Sequence, residues 1–174
     1  MSTYFKIFAA YPWAKGQANS VLALKELRNR IAKRIINGGS ELYEQKIQLT
    51  YSRLRSTSGT LVLNSIRQRI FIADVIIFDI TGFNANVMIE LGIALEMQLS
   101  AKSKAKVFLI AESKTYDASL LPSDLAGYFL TNYWIDQKDN ECHFGDNGSL
   151  VMRISTDALN KVNLNLSEDD IFND

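Results

Sequence analysis

Glu90 is the residue whose type and surroundings point most directly to chemistry. It stands between Ile89 and Leu91 near the start of an apolar helical stretch, and its neighbours three and four positions away include no lysine or arginine. Desolvation among apolar groups raises the pKa of a carboxyl, whereas a nearby helix N-terminus lowers it. A carboxylate held near an apolar wall suits attack on, or stabilisation of, an oxocarbenium-like sugar carbon. The alternative is a first-turn glutamate that the helix dipole favours and that points at water.

Polar residues precede Glu90 in the segment that joins a predicted strand to this helix. At the strand end, Asp79 and Thr81 suit a ribose hydroxyl or a base as hydrogen-bond partner, although Asp79 can equally cap its own loop. Asn84 and Asn86 flank the N–H groups of the helix start, which attract anions, so both are candidates for seating a phosphate. We expect a ligand at this position because open α/β sheets bind ligands at the carboxyl ends of their strands.

The first strand predicts a further part of the same crevice. Residues 4–11 (YFKIFAAY) are aromatic and apolar and are followed by Pro12. A strand that opens the chain in this way is usually central in a doubly wound sheet, which puts Tyr11 and Pro12 at its carboxyl end. Both are candidate substrate-binding residues. The alternative for Tyr11 and Trp13 is that they are packing aromatics beneath a loop.

The stretch ADVIIFDITGFNANVMIELGIALEM, residues 73–97, also resembles a known family. Its strand, its asparagine-bearing loop and its Glu-Leu-Gly helix opening are similar to the signature of the nucleoside 2-deoxyribosyltransferase-like and TIR-like N-glycosidase group. In that group the glutamate before Leu-Gly, here Glu90, carries the chemistry at C1′ of a ribose or deoxyribose. An aromatic residue at the end of the first strand, here Tyr11, often touches it. The resemblance therefore implies an N-glycosidic bond as the target. The matching residues are Ala73, Asp74, Asp79, Thr81, Asn84, Asn86, Val87, Glu90, Leu91, Gly92 and Ala94.

The loop also bears on the substrate. Related deoxyribosyl enzymes tend to carry serine or glycine there, whereas this chain has Asn84 and Asn86, which is closer to the TIR-like, nucleotide-binding branch. The resemblance therefore implies NAD or another nucleotide as substrate, giving nicotinamide with ADP-ribose or a cyclised product, and no separate cofactor. It further implies a homo-oligomer, a role in anti-phage defence or nucleotide signalling, and a partner protein of a defence system.

Three other functions stay open at this point. Nucleoside 2-deoxyribosyl transfer or deoxynucleotide hydrolysis would use the same glutamate. A non-catalytic nucleotide-sensing module would bind a ligand in the same crevice and trigger assembly. A protein-interaction adaptor would bind no small molecule. Substitution of Glu90 separates an enzyme from a sensor, because the sensor keeps binding where the enzyme loses turnover.

The periodicity predicts alternating strands and helices in a single domain, residues 1–174. This order implies an α/β fold with a single flavodoxin-like (TIR-like) doubly wound parallel five-stranded sheet and helices on both faces. The acidic residues at 166–174 are expected either to stay loose or to dock on a partner. The expected strands are 4–11, 75–78, 107–111 and 128–135, and the expected helices are 19–36, 60–72, 87–97, a short one within 119–128, and 150–162. Residues 41–54 are ambiguous: Ile47, Leu49 and Tyr51 alternate with polar residues as in a half-buried strand, and a short helix over residues 41–45 can precede it.

Two of these helices have a defined apolar stripe. The first also carries five basic residues on its other side, which we interpret as a solvated face and not as a nucleic-acid surface. The polar segment 136–148 is expected to form a loop or a small hairpin. The expected core residues are Val21, Leu24, Leu27, Ile31 and Ile35 in the first helix, and Leu61, Ile66, Ile70 and Phe71 in the second.

Composition narrows the class of protein. The chain has 174 residues, of which 47% are hydrophobic and 22% charged, and 19 Lys and Arg balance 19 Asp and Glu. These values are typical of a globular domain large enough to bury a core. The neutral total argues against duplex nucleic acid as a partner. No run approaches the roughly 18 apolar residues of a membrane span, and the single cysteine fits a reducing compartment. We therefore expect a cytoplasmic protein with no membrane partner.

Other chemistries lack the residues that they need. The chain contains no G-x-x-x-x-G-K-[ST], G-x-G-x-x-G or G-x-S-x-G motif, which disfavours P-loop ATPases, Rossmann dehydrogenases and α/β-hydrolases. The one histidine, His143, adjoins Cys142 in a polar segment, which is not the spacing of a metal site. We expect both side chains at the surface and no bound metal. A Ser-His-Asp triad is disfavoured for the same reason.

Overall fold

The computed structural model describes residues 4–12, 18–37, 47–51, 59–114, 117–125 and 127–171. Within them, strands and helices alternate much as the sequence predicts. The strands are β1 (Phe5–Ala10), β2 (Ile47–Tyr51), β3 (Val75–Asp79), β4 (Lys106–Glu112), β5 (Leu130–Ile135) and β6 (Cys142–Phe144). The helices are α1 (Ala18–Asn37), α2 (Gly59–Ile72), α3 (Ala85–Leu99) and α4 (Ser149–Ile171), with short 3₁₀ turns at Thr81–Phe83, Ala118–Leu120 and Ser123–Leu125.

The strands form one sheet in the order β2-β1-β3-β4-β5-β6. Strands β1 to β5 pair in parallel, and β6 pairs antiparallel with β5. The order of the five parallel strands is compatible with a flavodoxin-like fold, so the predicted α/β class with a mostly parallel sheet is confirmed. The sixth strand lies where the sequence predicts a loop or a small hairpin. The hairpin does form, and its returning arm adds a three-residue strand to the sheet edge.

The core consists of two apolar clusters that share the strands between them. In β3, Val75 and Ile77 pack in a cluster with α1 and α4, whereas Ile76 and Phe78 pack in a second cluster with α2 and α3. All five residues of β3 are buried. This double burial explains why the strand sequence is an unbroken apolar run instead of an alternating one.

Helix α1 faces the sheet with most of the predicted stripe, but not with all of it. Leu24, Leu27 and two isoleucines further along are fully buried as expected. Val21 is 43% exposed, so its predicted place in the core is wrong. The inward position at the start of the helix belongs to Ser20, whose hydroxyl has a partner in the sheet, Tyr133. The first turn of α1 therefore buries a polar residue where the sequence predicts an apolar one.

The predicted core of α2 is also correct in part. Ile66 and Ile70 are buried, as expected. Phe71 is 65% exposed, so its predicted burial is wrong. It directly follows Ile70, and a helix turns by roughly 100° per residue, so a neighbour of an inward residue can point outward. The side chain of Leu61 lies outside the described part of the structure.

Helix α4 is the longest of the described helices. It begins one residue before the expected helix at 150–162 and continues to Ile171, so most of the acidic segment is helical. Residues 172–174 lie outside the described part of the chain. Among the described helices, α4 included, none combines the length and the apolar character that a membrane crossing requires.

Replacing Leu27 by alanine should lower the free energy of unfolding by about 2–5 kcal/mol, because truncating a fully buried leucine leaves a cavity. The control Val21→Ala on the same helix should change it by less than about 1 kcal/mol, since that side chain is largely in solvent. Urea unfolding followed by circular dichroism measures both. Equal losses in the two variants would contradict the orientation of α1.

Candidate functional site

A sharp turn joins β3 to α3 at the carboxyl edge of the sheet. The backbone N–H of Ile80 donates to the carbonyl of Ile110 in β4 at 2.9 Å, which fixes the start of the turn. Gly82 has a φ of +63° and Phe83 one of +48°. Glycine adopts this left-handed conformation without cost, whereas it is unusual for a bulky residue such as phenylalanine. The turn is therefore tightly constrained, and α3 begins at the edge where β3 ends.

Asp79, the last residue of β3, is completely buried. One of its carboxylate oxygens accepts hydrogen bonds from the backbone N–H of Thr81, at 3.0 Å, and from the Thr81 hydroxyl. The other oxygen accepts a hydrogen bond of 2.8 Å from the hydroxyl of Tyr133 in β5. Burial raises the pKa of Asp79 because the charged form loses its hydration, and these hydrogen bonds partly oppose that rise. Asp79 thus joins the turn to a strand two positions away in the sheet.

Further hydrogen bonds extend this group to β4 and α1. The Thr81 hydroxyl accepts from the backbone N–H of Glu112, at 2.9 Å, and the Glu112 carboxylate accepts from Asn19 Nδ2, at 2.8 Å. The Ser20 hydroxyl lies 3.4 Å from the Tyr133 hydroxyl. Burial and the charge of Asp79 raise the pKa of Tyr133, so its phenol keeps the proton that it donates. We call the six residues the Asp79 cluster: Asn19, Ser20, Asp79, Thr81, Glu112 and Tyr133.

The sequence does not predict most of this cluster. Asn19 and Ser20 are of residue types that suit the start of a helix, and nothing in the sequence singles out Glu112. Tyr133 carries a weak signal, because it alternates with Thr131 in a strand and a buried phenol usually has a hydrogen-bond partner. That partner lies 54 positions earlier in the chain, and its identity depends on the pairing of the strands.

Glu90 lies on the inward face of α3. Its side chain is 3% exposed, and the other buried residues of this helix include Val87, Leu91 and Ala94. The alternative in which a first-turn glutamate points at water is therefore wrong. The helix buries a carboxylate within an otherwise apolar face, close to the edge at which Asp79 ends β3.

The two asparagines at the start of α3 have different positions. Asn84 is the N-cap of the helix, and its side-chain oxygen accepts from the backbone N–H groups of Asn86, at 3.1 Å, and Val87, at 3.4 Å. Two of the N–H groups that were candidates for a phosphate are thus already bonded to Asn84. The Asn86 side chain is exposed. Asn86 is therefore better placed than Asn84 to meet a ligand from solvent.

Tyr11 and Pro12 lie at the same edge of the sheet. Ala10 pairs with Phe78 in the parallel register of β1 and β3, so Tyr11 follows at the level of Asp79. Both Tyr11 and Pro12 are buried, and Tyr11 belongs to the apolar cluster that contains α1 and α4. This position agrees with the packing alternative for Tyr11 as well as with a place beside a crevice. Trp13 lies outside the described residues.

The β5–β6 hairpin holds the residues for which the sequence predicts surface positions. Cys142 is buried, so that prediction is wrong, and burial raises the pKa of its thiol to about 12. His143 is half-buried and stacks on Trp134 with 5.6 Å between the ring centres. Its ring nitrogens and the carboxylates of Asp136 and Asp139 come within 4.8 Å of one another. This group is at the surface, and nothing joins it to the Asp79 cluster among the hydrogen bonds of the described residues.

Two buried carboxylates, Asp79 and Glu90, are the chemically distinctive residues of the predicted site. Comparison of the chain with protein-family models and with curated proteins gives no match. The predicted site residues lie at the carboxyl ends of β1 and β3, in the turn after β3 and in α3, and two of them are buried carboxylates. Asp79 is bonded to Thr81 and Tyr133, and Glu90 is buried on the face of α3 that also holds Val87 and Leu91. Such a pair suits one carboxylate that positions the chain and a second that acts on developing positive charge.

Changing Asp79 to asparagine should alter how the free energy of unfolding depends on pH. Its pKa in the folded state is raised above the unfolded value of about 3.9, so protonation favours folding. The stability of the wild type relative to Asp79→Asn should therefore be greatest below about pH 4 and should fall as pH rises through the raised pKa. Urea unfolding of both proteins between about pH 3 and pH 8 measures this difference. A difference that stays constant, or grows with pH, would contradict a raised pKa at Asp79.

Proposed function

We propose that the protein cleaves the bond between base and ribose in NAD or a related nucleotide, with Glu90 at the reacting sugar carbon. The observation that carries this proposal is the burial of Glu90 on the apolar face of α3. A glutamate is rarely buried this fully, and open α/β sheets bind ligands at the carboxyl ends of their strands, so Glu90 is a candidate for function. The resemblance of residues 73–97 to N-glycosidases assigns the chemistry to the same residue.

The main requirement of the reaction is to stabilise the positive charge that develops on the sugar. As the bond from C1′ to nitrogen breaks, its electron pair leaves with the base, and nicotinamide departs as a neutral molecule. Positive charge then develops at C1′ and the ring oxygen, and a carboxylate in apolar surroundings stabilises this charge more than it would in water. Water adds to C1′ and loses a proton, which gives ADP-ribose. Glu90 acts as the electrostatic stabiliser or as a nucleophile that water later displaces.

We assign the other polar residues to two tasks. Asp79 and Thr81 are bonded to each other, which supports a role in holding the turn before α3 rather than in contacting the substrate. Asn84 caps the helix that carries Glu90. Asn86 is exposed at the helix start, so it is the residue that we expect to meet a ribose hydroxyl or a phosphate.

The proposal extends to architecture and biological setting. The division of the β3 side chains between two apolar clusters supports a doubly wound, TIR-like sheet with helices on both faces. The ligand crevice of such a sheet lies at the carboxyl ends of its strands, where Tyr11 and Pro12 would border it. We further propose a cytoplasmic homo-oligomer that acts in anti-phage defence or nucleotide signalling with a partner protein, on the basis of the resemblance alone.

Incubation of the purified protein with NAD and a panel of nucleotides and deoxynucleotides should release a base that chromatography detects. Glu90→Gln keeps the size of the side chain and removes its charge, so it should lower the rate at least about 100-fold. Glu96→Gln on the same helix is the matched control, since Glu96 is exposed and its ion pair within the described residues is with Lys102, at 3.5 Å, and it should leave the rate unchanged. Cleavage of a ribonucleotide would indicate a glycohydrolase, and cleavage of a deoxynucleotide would indicate deoxyribosyl chemistry.

Equilibrium binding then separates an enzyme from a sensor. We expect Glu90→Gln to bind the substrate within about tenfold of the wild type, because the carboxylate acts mainly on the charge of the transition state. Binding by both proteins with no base released from any nucleotide would contradict the proposed catalysis and favour a sensing module. If the protein neither binds nor cleaves any nucleotide, the result would favour a protein-interaction adaptor.

A further inference from the structure

A groove runs between the second half of α1 and the first half of α4, away from the Asp79 cluster. Its volume is about 730 Å³, which is within the range of roughly 300–1,000 Å³ found for small-molecule pockets. Arg34, in its wall, is 14 positions after Ser20, and 14 residues of helix span about 21 Å. The groove is thus a separate place on the molecule, and its use does not rest on the proposed reaction.

One wall of the groove is positively charged. Arg30, Lys33 and Arg34 of α1 line it, and no aspartate or glutamate is among its lining residues. Lys33 and Arg34 are exposed and take part in none of the ion pairs formed within the described part of the chain. Since the whole chain has a formal net charge of zero, this is a local excess that attracts an anion.

Arg30 is held in place by its neighbours. Its Nε donates to Glu26 at 2.7 Å, a second nitrogen donates to the carbonyl of Cys142 at 2.8 Å, and the guanidinium lies 5.4 Å from the centre of the Phe144 ring. Glu26 neutralises part of this charge but does not line the groove. A pre-positioned guanidinium loses little conformational entropy on binding, and its remaining N–H groups suit the oxygens of a phosphate.

The opposite wall belongs to α4 and combines apolar with hydroxyl-bearing side chains. Met152, which is 48% exposed, and Leu159 line it together with the hydroxyl-bearing Ser149 and Thr156. The carboxylate of Asp146, which precedes the lining residue Asn147, accepts hydrogen bonds from the backbone of Gly148, at 3.1 Å, and of Leu150, at 2.6 Å. It is therefore engaged in capping α4. A flat apolar ring can lie on this wall while a charged group reaches α1.

We infer that this groove is a binding site for a nucleoside phosphate. The phosphates contact Lys33 and Arg34 with Arg30 beside them, and the base lies against Met152 and Leu159. Neither half of the ligand explains the groove alone, because the cations suit a phosphate and the apolar wall suits a ring. A bare polyanion would leave the apolar wall in contact with water.

Methionine-methyl NMR can report this site separately from the carboxyl edge. The chain has four methionines, of which Met152 lines the groove and Met88 lies on α3 two positions before Glu90. The Met152→Leu variant identifies the groove resonance. Titration with ADP should move the Met152 signal to saturation, and adenosine or inorganic phosphate alone should bind there at least about tenfold more weakly. The shift should persist in Glu90→Gln, which separates this inference from the proposed reaction.

Two double variants of α1 test the charged wall. Lys33→Gln with Arg34→Gln should weaken ADP binding at Met152 by about tenfold or more, as expected for lost charge-assisted hydrogen bonds. Lys25→Gln with Arg28→Gln changes the charge equally at exposed positions outside the groove, and should change binding less than about twofold. Circular dichroism confirms that each variant folds.

Three results would overturn the inference. The Met152 signal could stay still when ADP is added. Both double variants could weaken binding equally, which would mean attraction by net charge alone. Inorganic polyphosphate could also displace ADP at an equal phosphate concentration, which would make the groove a surface for polyanions or for an acidic protein segment.

Discussion

The hydrogen bonds of the buried Asp79 carboxylate determine how the carboxyl edge of the sheet is built. Placing this group at the end of β3 is unfavourable unless donors surround it, and Thr81 and Tyr133 supply them. Because these donors come from the following turn and from β5, the carboxylate fixes the turn against the sheet. Ser20 and Asn19 bring the start of α1 into the same arrangement.

The geometry of α3 follows from that anchor. The constrained turn and the Asn84 cap set where the helix begins, and the helical period then puts Glu90 on the same face as Val87 and Leu91. Asp79 and Glu90 are both buried, yet their surroundings differ, and this difference supports giving them different roles. The Asp79 carboxylate is bonded to the turn and to β5 and is a structural element, whereas we assign Glu90, buried on the core-facing side of α3, to the charge that develops on the substrate.

Much of the fold could be predicted because it depends on local patterns. The apolar run of β3 and the helical spacing in α1 report burial directly, so the α/β order follows from the sequence. Contacts between distant residues could not be predicted in the same way. Ser20 is buried where the sequence predicts Val21, and its hydroxyl lies 3.4 Å from the hydroxyl of Tyr133 on β5. The contact between Tyr133 and Asp79 is defined only once the strands are paired.

The candidate site shows the same division. The residue types of residues 73–97 suffice to place Asp79 at the carboxyl end of β3 and Glu90 in the helix that follows. Their individual environments depend on tertiary packing, as does the groove between α1 and α4, whose cations lie on a face that the sequence alone presents as ordinary solvated surface. The burial of Glu90 and the grouping of cations beside the groove could therefore be recognised only from the structure.

The most direct measurement is a crystal structure of Glu90→Gln with NAD bound. We expect a nucleotide at the carboxyl edge of the sheet. C1′ of the ribose that carries nicotinamide should lie within about 3–3.5 Å of the side chain at position 90. We also expect an unchanged set of hydrogen bonds between Asp79, Thr81 and Tyr133. A nucleotide bound with that sugar carbon far from position 90, or an edge left empty at saturating NAD, would contradict the assignment of Glu90 to the chemistry.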